Sequence, residues 1–326
     1  RSSRDAAPQM AVRALHEMLG LKPDHLPSLK ALARASDQAK DRAGAIRAYR
    51  RLAALAREPA EAADAHVQLA RLCAETEDDI AGARLHCEAA LRLTPDHPEA
   101  LHQLADLCFR SGEHLRAIKA LDRLREVALG RHEVDRIGRA NLLAGRVWET
   151  GLKQPENALL RYREAASLLP GDAEPLYLAA RVSESLGKVQ EAVSGYQQAI
   201  ELAGPSPGAP ALRIAAHQSH HALARLLKTK LGEPGRARDH LESALALDPT
   251  DVLALDELLP YFRASGKAVE LADACEKAAA VIDDPLRRAA LWAEAGELYR
   301  GRLGQPERAE RLLSQALEAD PKNRLA

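Results

Sequence analysis

Three stretches of this chain repeat one pattern: LKQPENALLRYREAASLLP from Leu152, LGEPGRARDHLESALALDP from Leu231 and LGQPERAERLLSQALEADP from Leu303. In each, an alanine (Ala158, Ala237, Ala309) is followed four residues on by a bulkier residue (Tyr162, Leu241, Leu313) and three further by Ala165, Ala244 or Ala316. Pro170, Pro249 or Pro321 closes the phrase. The i, i+4, i+7 spacing puts the first three on one face of a helix. The proline ends that helix because it lacks an N–H and its ring clashes with the preceding turn. Each phrase reads as the second helix of a helical hairpin.

The same anchor recurs at Ala11, Ala45, Ala83, Ala117, Ala192 and, substituted, Leu271, so successive anchors are 34, 38, 34, 41, 34, 45, 34 and 38 residues apart. A repeat of this length means stacked supersecondary units instead of one globule. Ahead of each second helix lies a first helix with a small residue at its packing point: Ala33, Ala70, Ala105, Gly145, Ala180, Ala224 and Gly296. Composition agrees, since 46% hydrophobic residues with only 3% aromatic ones leave a core of Ala and Leu, strong helix formers, with little of what strands prefer.

On these residues the chain resembles the tetratricopeptide repeat family, whose 34-residue helix-turn-helix carries small residues at these places and a proline after the second helix. The resemblance implies an all-α, right-handed solenoid (superhelix) of eight hairpins at about 26–59, 62–96, 98–131, 138–171, 173–206, 214–249, 252–284 and 286–321. A half repeat at 9–25 precedes them, and the whole reads as one array, 1–326, cut from a longer protein. Two turn classes alternate: a short one often carrying Gly (Gly112, Gly187, Gly266), and one a residue longer, in three cases with Pro (Pro155, Pro234, Pro306). The extra residues between repeats, in REPAEAADA, ALGRHEVDRIGRA and AGPSPGAPALRI, are expected to project from one edge as tolerated loops. Leu259 and Leu271 stand where small residues are expected, with Pro260 inside the first helix, so hairpin 252–284 should be splayed or kinked.

Little in the sequence points to catalysis. Cys73, Cys108, Cys87 and Cys275 form no CxxC pair and fall at packing places, as buried small hydrophobes do. In HQSHH, His217 and His221 are an i, i+4 pair, but two ligands make no zinc site and the sequence offers no evident third, so neither metal nor cofactor is expected. The EDD of Glu77 to Asp79 reads as a hairpin turn, not a calcium loop. No GxGxxG, GxxxxGK[ST] or GxSxG stretch occurs, and the expectation is no enzyme activity. A formal net charge of -1 and scarce aromatics speak against nucleic-acid binding. No apolar run reaches the roughly 18 residues of a membrane span, and RSSRDAAPQM lacks the apolar core of a signal peptide. A cytoplasmic location is the expectation.

The resemblance also implies a binding face. In the family the first helices line a concave groove, and the matching residues here are Arg34, Arg71, Asp106, Arg146, Arg181, Arg225, Pro260 and Glu297. One turn earlier stand Lys30, Val67, His102, Leu142, Tyr177, His221, Asp256 and Ala293. The candidate partner-binding set is Arg146, Arg181 and Arg225 with Leu142, Tyr177 and His221: guanidinium forks for carboxylates beside apolar surface for an anchor. Pairing of these arginines with Glu149 and Glu184 is the equally weighted alternative.

The functional expectation is a non-catalytic protein–protein interaction scaffold or adaptor that takes a partner protein or peptide with an acidic segment and an apolar anchor. Abundant Arg and Ala and the grammar from Asp284 to Ala309 resemble large multi-repeat proteins of myxobacteria. Some of those act in motility and polarity, including docking of a Ras-like GTPase, and the resemblance extends that role to this chain as an expectation. The alternative is a substrate-recruiting array of a larger enzyme such as a glycosyltransferase or kinase.

Overall fold

The computed structural model describes residues 3–75 and 79–323, and every regular element among them is helical. By chain contacts the molecule divides into two compact units, Arg1–Leu169 and Pro170–Ala326.

The first unit holds α1 (Ser3–Leu21), α2 (Leu26–Gln38), α3 (Arg42–Leu55), α4 (Pro59–Ala74), α5 (Ile80–Leu93), α6 (Pro98–Arg110), α7 (His114–Gly130), α8 (Val134–Arg146) and α9 (Pro155–Leu168). The second holds α10 (Glu174–Ser185), α11 (Val189–Ala203), α12 (Pro210–Leu226), α13 (Pro234–Leu247), α14 (Val252–Ser265), α15 (Ala268–Val281), α16 (Pro285–Gly301) and α17 (Pro306–Ala319). Within each unit the helices pair in order as hairpins, α2 with α3 through α8 with α9 and α10 with α11 through α16 with α17, and each hairpin packs on the next.

The anchors explain this packing. Ala45, Ala83, Ala117, Ala158, Ala192, Ala237, Leu271 and Ala309 are all buried, as are the facing Ala33, Ala70, Ala105, Gly145, Ala180, Ala224 and Gly296. Small residues on both helices bring the backbones close, and larger side chains fill the seams on either side. Tyr162, Tyr196 and Tyr299 are fully buried and send their hydroxyls to Glu149, Glu184 and Asp273. A buried phenol keeps its apolar contribution only when its O–H finds such a partner.

The two turn classes have distinct geometry. In the short turns a residue with positive φ (Lys40, Gly112, Gly187) follows the first helix, and the next amide donates to the carbonyl five residues back, as in Glu113 N–H to Cys108 C=O at 2.8 Å. In the long turns the first helix widens before it ends. Val147–Gly151 and Leu227–Leu231 are π-helical, and Gln154, Glu233 and Gln305 each donate to the carbonyl six residues back. The positive φ then falls on Lys153, Gly232 or Gly304, directly before that donor. The extra residue is thus absorbed as a π-bulge. Glu77 and Asp78 lie outside the described residues, while Asp79 is the N-cap of α5, accepting from Gly82 N–H at 2.9 Å.

One expectation is corrected. Most of the extra inter-repeat residues do not form projecting loops: α4, α8 and α12 start at Pro59, Val134 and Pro210, so many of those residues lengthen helices, and α7 runs on to Gly130, while residues 204–209 remain a loop. Prolines at the first turn favour such early starts, because the missing N–H is one the helix leaves unpaired there. Hairpin α14/α15, expected to be splayed or kinked, packs less extensively than any other, with Leu259 and Leu271 both buried, while α14 runs as one helix through Pro260, which sits on its exposed side.

Candidate functional site

On the first-helix faces, each cation tends to find its acid on the neighbouring hairpin. In the first unit Lys30 on α2 reaches Glu61 on α4 at 3.4 Å, and Arg71 on α4 bonds Asp37 on α2. In the second, Lys228 pairs with Glu257, Arg263 with Glu294 at 2.6 Å, and Arg287 with Asp256. The partners are about one repeat apart in sequence, because stacking sets equivalent places of consecutive hairpins side by side. Exposed pairs of this kind contribute only about 0–1 kcal/mol each, so their effect is more on register than on stability.

The six candidate residues fall into two sets. Leu142, half-buried, and Arg146, exposed, lie one turn apart on α8 of the first unit. Tyr177 and Arg181 on α10 and His221 and Arg225 on α12 belong to the second unit. There the Arg181 guanidinium lies 5.8 Å from the centre of the Tyr177 ring, whose own centre is 5.8 Å from that of Tyr196. The Tyr196 hydroxyl donates to Glu184 at 2.9 Å, and Arg225 Nη2 donates to both oxygens of the same carboxylate at 2.7 and 2.8 Å. Arg225 therefore pairs as the alternative reading had it, although its side chain remains 60% exposed against 20% for Glu184. Burial, with the Glu184 charge next to it, holds the Tyr196 phenol above its ordinary range.

His221 makes a different contact, and here the structure supplies the group that the sequence did not. Asp251, buried at the N-cap of α14, accepts from Ala254 N–H through Oδ1, while its Oδ2 lies 2.9 Å from His217 Nε2 and is also bonded by His221 Nε2. Burial alone would raise the Asp251 carboxyl, but the Ala254 amide and the two imidazoles outweigh it and hold the group below the usual range. The missed signal was positional: Asp251 lies one 34-residue repeat after His217 and opens a helix.

Two further histidine pairs share a register. His66 and His86 join α4 to α5 with Nδ1 atoms 3.2 Å apart, and His220 and His240 join α12 to α13 at 3.0 Å. Burial pushes all four imidazoles below their ordinary value, His220 to about 4. The four cysteines are buried thiols not joined in disulfides, and burial pushes them up, Cys87 to about 12, which makes them packing groups instead of nucleophiles.

Clefts open between hairpins in the first unit. One of about 410 Å³ is lined by Lys30, Arg34, Asp37, Tyr49 and Glu61, and another of about 390 Å³ by Arg71, Glu75, His102, Asp106 and Arg110. Both are mixed in charge. Among the described residues, no helix is long and apolar enough to cross a membrane.

Comparison with known proteins agrees with the hairpins. Family models described as tetratricopeptide repeat match residues 74–137 and 289–323. The C-terminal part of a TPR repeat-containing protein from Cytophaga hutchinsonii superposes with a TM-score of 0.62 at 15% identity, over 77% of this chain and 95% of that one. The human IFIT1 dimer with PPP-AAAA gives 0.50 at 14% identity over 95% and 68% of the two chains. Yeast Tom70 gives 0.50 at 17% identity over 97% and 61%. At these identities the likeness is one of fold. No curated protein sequence matches the chain.

Proposed function

This chain is a tetratricopeptide repeat protein, and we propose that it acts as a non-catalytic scaffold that holds a partner protein or peptide against its first-helix faces. The observation that carries this reading is the linked cluster Arg181–Tyr177–Tyr196–Glu184–Arg225 in the second unit. It offers a half-buried aromatic beside an arginine that is ion-paired yet 60% exposed. An interface anchor of this composition suits an acidic segment carrying one apolar side chain, since arginine and tyrosine dominate binding hot spots. Leu142 and Arg146 on α8 are the corresponding pair in the first unit, and with His221 they complete the proposed set.

The finer form of this reading is an adaptor in bacterial motility or polarity, with a small Ras-like GTPase as the partner. Only the resemblance of the segment from Asp284 to Ala309 supports it. The test is capture of partners by the isolated array, beside the variants Tyr177→Ala and Arg181→Glu, with identification by mass spectrometry. A partner lost with both variants supports the face. Identical capture by the wild type and both variants refutes it. Adding Ras-like GTPases in diphosphate and triphosphate forms tests the finer form, which fails if neither binds.

A further inference from the structure

We propose that His217, His221 and Asp251 bind one divalent cation of the zinc class, tying α12 to α14 within the second unit. One atom from each of the three side chains lies within 4.8 Å of the others, and both imidazole Nε2 atoms converge on the same carboxylate oxygen. The two rings stand one turn apart on α12 with centres 4.9 Å apart and planes inclined at 66°. A tetrahedral ion about 2.0–2.2 Å from each ligand needs ligand atoms roughly 3.3 Å apart. The present spacings bracket that value, with 2.9 Å from His217 Nε2 to the Asp251 oxygen and all three ligand atoms within 4.8 Å of one another.

The carboxylate is prepared for such a role by its place in the fold. Asp251 opens α14, and its Oδ1 is held by the Ala254 amide at 3.1 Å, so the group is oriented with Oδ2 toward the histidines. Metal-ligating carboxylates are aimed in the same way by hydrogen bonds from behind. Two imidazoles and one carboxylate suit zinc and its neighbours in the first transition row better than magnesium or calcium, which prefer oxygen alone.

The other hairpins of the same turn class provide an internal control. Aligned on the small packing residue, the places of His217 and His221 are taken by Ala63 and Val67, by Gly138 and Leu142, and by Ala289 and Ala293. Packing at this point is met elsewhere by small or aliphatic residues, so a pair of histidines is not what the stack itself demands. The spacing His217–Gln218–Ser219–His220–His221 has the i, i+4 histidines of the HExxH motif, but Gln218 stands where that motif places its general base. Three protein ligands leave a fourth position for water or for a carboxylate from a bound partner, without the residue that would turn the ion to hydrolysis.

The experiment is zinc titration of the tag-free 326-residue chain in competition with a chromophoric chelator, with cobalt(II) substitution as the spectroscopic probe. Wild-type protein should bind one zinc ion per chain, and cobalt(II) should give the strong visible bands of a tetrahedral site. His217→Ala and His221→Val install the residues of the α4 hairpin, and Asp251→Asn keeps a good N-cap while removing the anionic ligand. Each should weaken zinc at least about tenfold and abolish the cobalt bands at unchanged helicity. His240→Asn and His86→Asn should leave both readouts intact. The proposal is overturned if the wild type takes up no stoichiometric zinc. It is equally overturned if the three variants bind as tightly as wild type, or if His240→Asn abolishes binding, which would put the ion on the other side of α12.

Discussion

The ring of Tyr162 on α9 occupies the space that a side chain at Gly145 on α8 would need: a Cβ there would stand 2.4 Å from the ring. Another long-turn hairpin, α16/α17, reaches the same end with a different pair, where a Cβ at Gly296 would meet Leu313 at 2.7 Å. Gly145→Val should therefore destabilise the α8/α9 hairpin by about 1–3 kcal/mol, the usual cost of overpacking a filled core. Tyr162→Phe removes only the hydroxyl bond to Glu149 and should cost about 1 kcal/mol. Hydrogen exchange of the α8 and α9 amides is the measurement, because a stacked array need not unfold in one step. Equal protection in Gly145→Val and wild type would mean that α9 can move away at no cost.

Lys40 closes the first short turn with φ 59, where Gly112 and Gly187 close theirs at 79 and 74. A lysine pays a left-handed penalty that glycine avoids, while glycine gives up more freedom on folding. The first effect is larger, so Lys40→Gly should stabilise the α2/α3 hairpin by roughly 0.5–1 kcal/mol. A raised denaturation midpoint would bear this out, and a lowered one would show that the Lys40 side chain makes a compensating contact.

Much of this was legible in the sequence for a physical reason. A hairpin stack is built from nearest-neighbour contacts, so the Ala158–Tyr162–Ala165 pattern fixes the helix face locally, and Tyr162 and Gly145 meet without any distant register to infer. The helix starts at Pro59, Val134 and Pro210 were hidden, because the apolar stripe begins later than the helix does; a first-turn proline marks the true beginning at Pro59 and Pro210, and no proline does at Val134. The π-bulges at Val147 and Leu227 were hidden too, since one extra turn residue is equally compatible with a loop. Asp251 escaped notice for a third reason. It acts across the seam between hairpins, where the register of one repeat against the next decides which side chains meet.

The His66–His86 pair gives the first unit a signed response to acid. Both imidazoles are held below their ordinary value, His66 by burial and by Arg92, and His86 by burial, His66 and Arg50, with Asp79 opposing. The unfolded chain thus binds more protons than the folded one just below the usual histidine range. The contribution of the pair to stability is complete above about pH 6.5 and is lost as pH falls below it toward the folded values. His86→Asn should flatten this slope below about pH 6.5 in denaturation of the first unit. A slope unchanged by the substitution would assign the acid sensitivity to other groups.

The last prediction separates a binding role for the first-helix arginines from a purely structural one. Arg225 is already bonded to Glu184, so an acidic partner gains by sharing an arginine, not by finding an unused one, and each exposed pair supplies only about 0–1 kcal/mol. Affinity must then come largely from an apolar anchor at Tyr177, with the arginines steering the approach. Arg181→Glu should slow association and reduce its salt dependence, because steering acts over the screening length, while Tyr177→Ala should mainly speed dissociation. Arg225→Gln reads the structural role when followed without partner: it removes the cation from Glu184 without adding a like charge, and should loosen α10 against α12 in hydrogen exchange. Arg146→Glu, on the first unit, reads the contribution of that face separately. A partner whose association rate, dissociation rate and salt dependence survive Arg146→Glu, Arg181→Glu and Tyr177→Ala binds elsewhere. The mixed-charge clefts at Lys30 and Arg71 would then be the surfaces to mutate next.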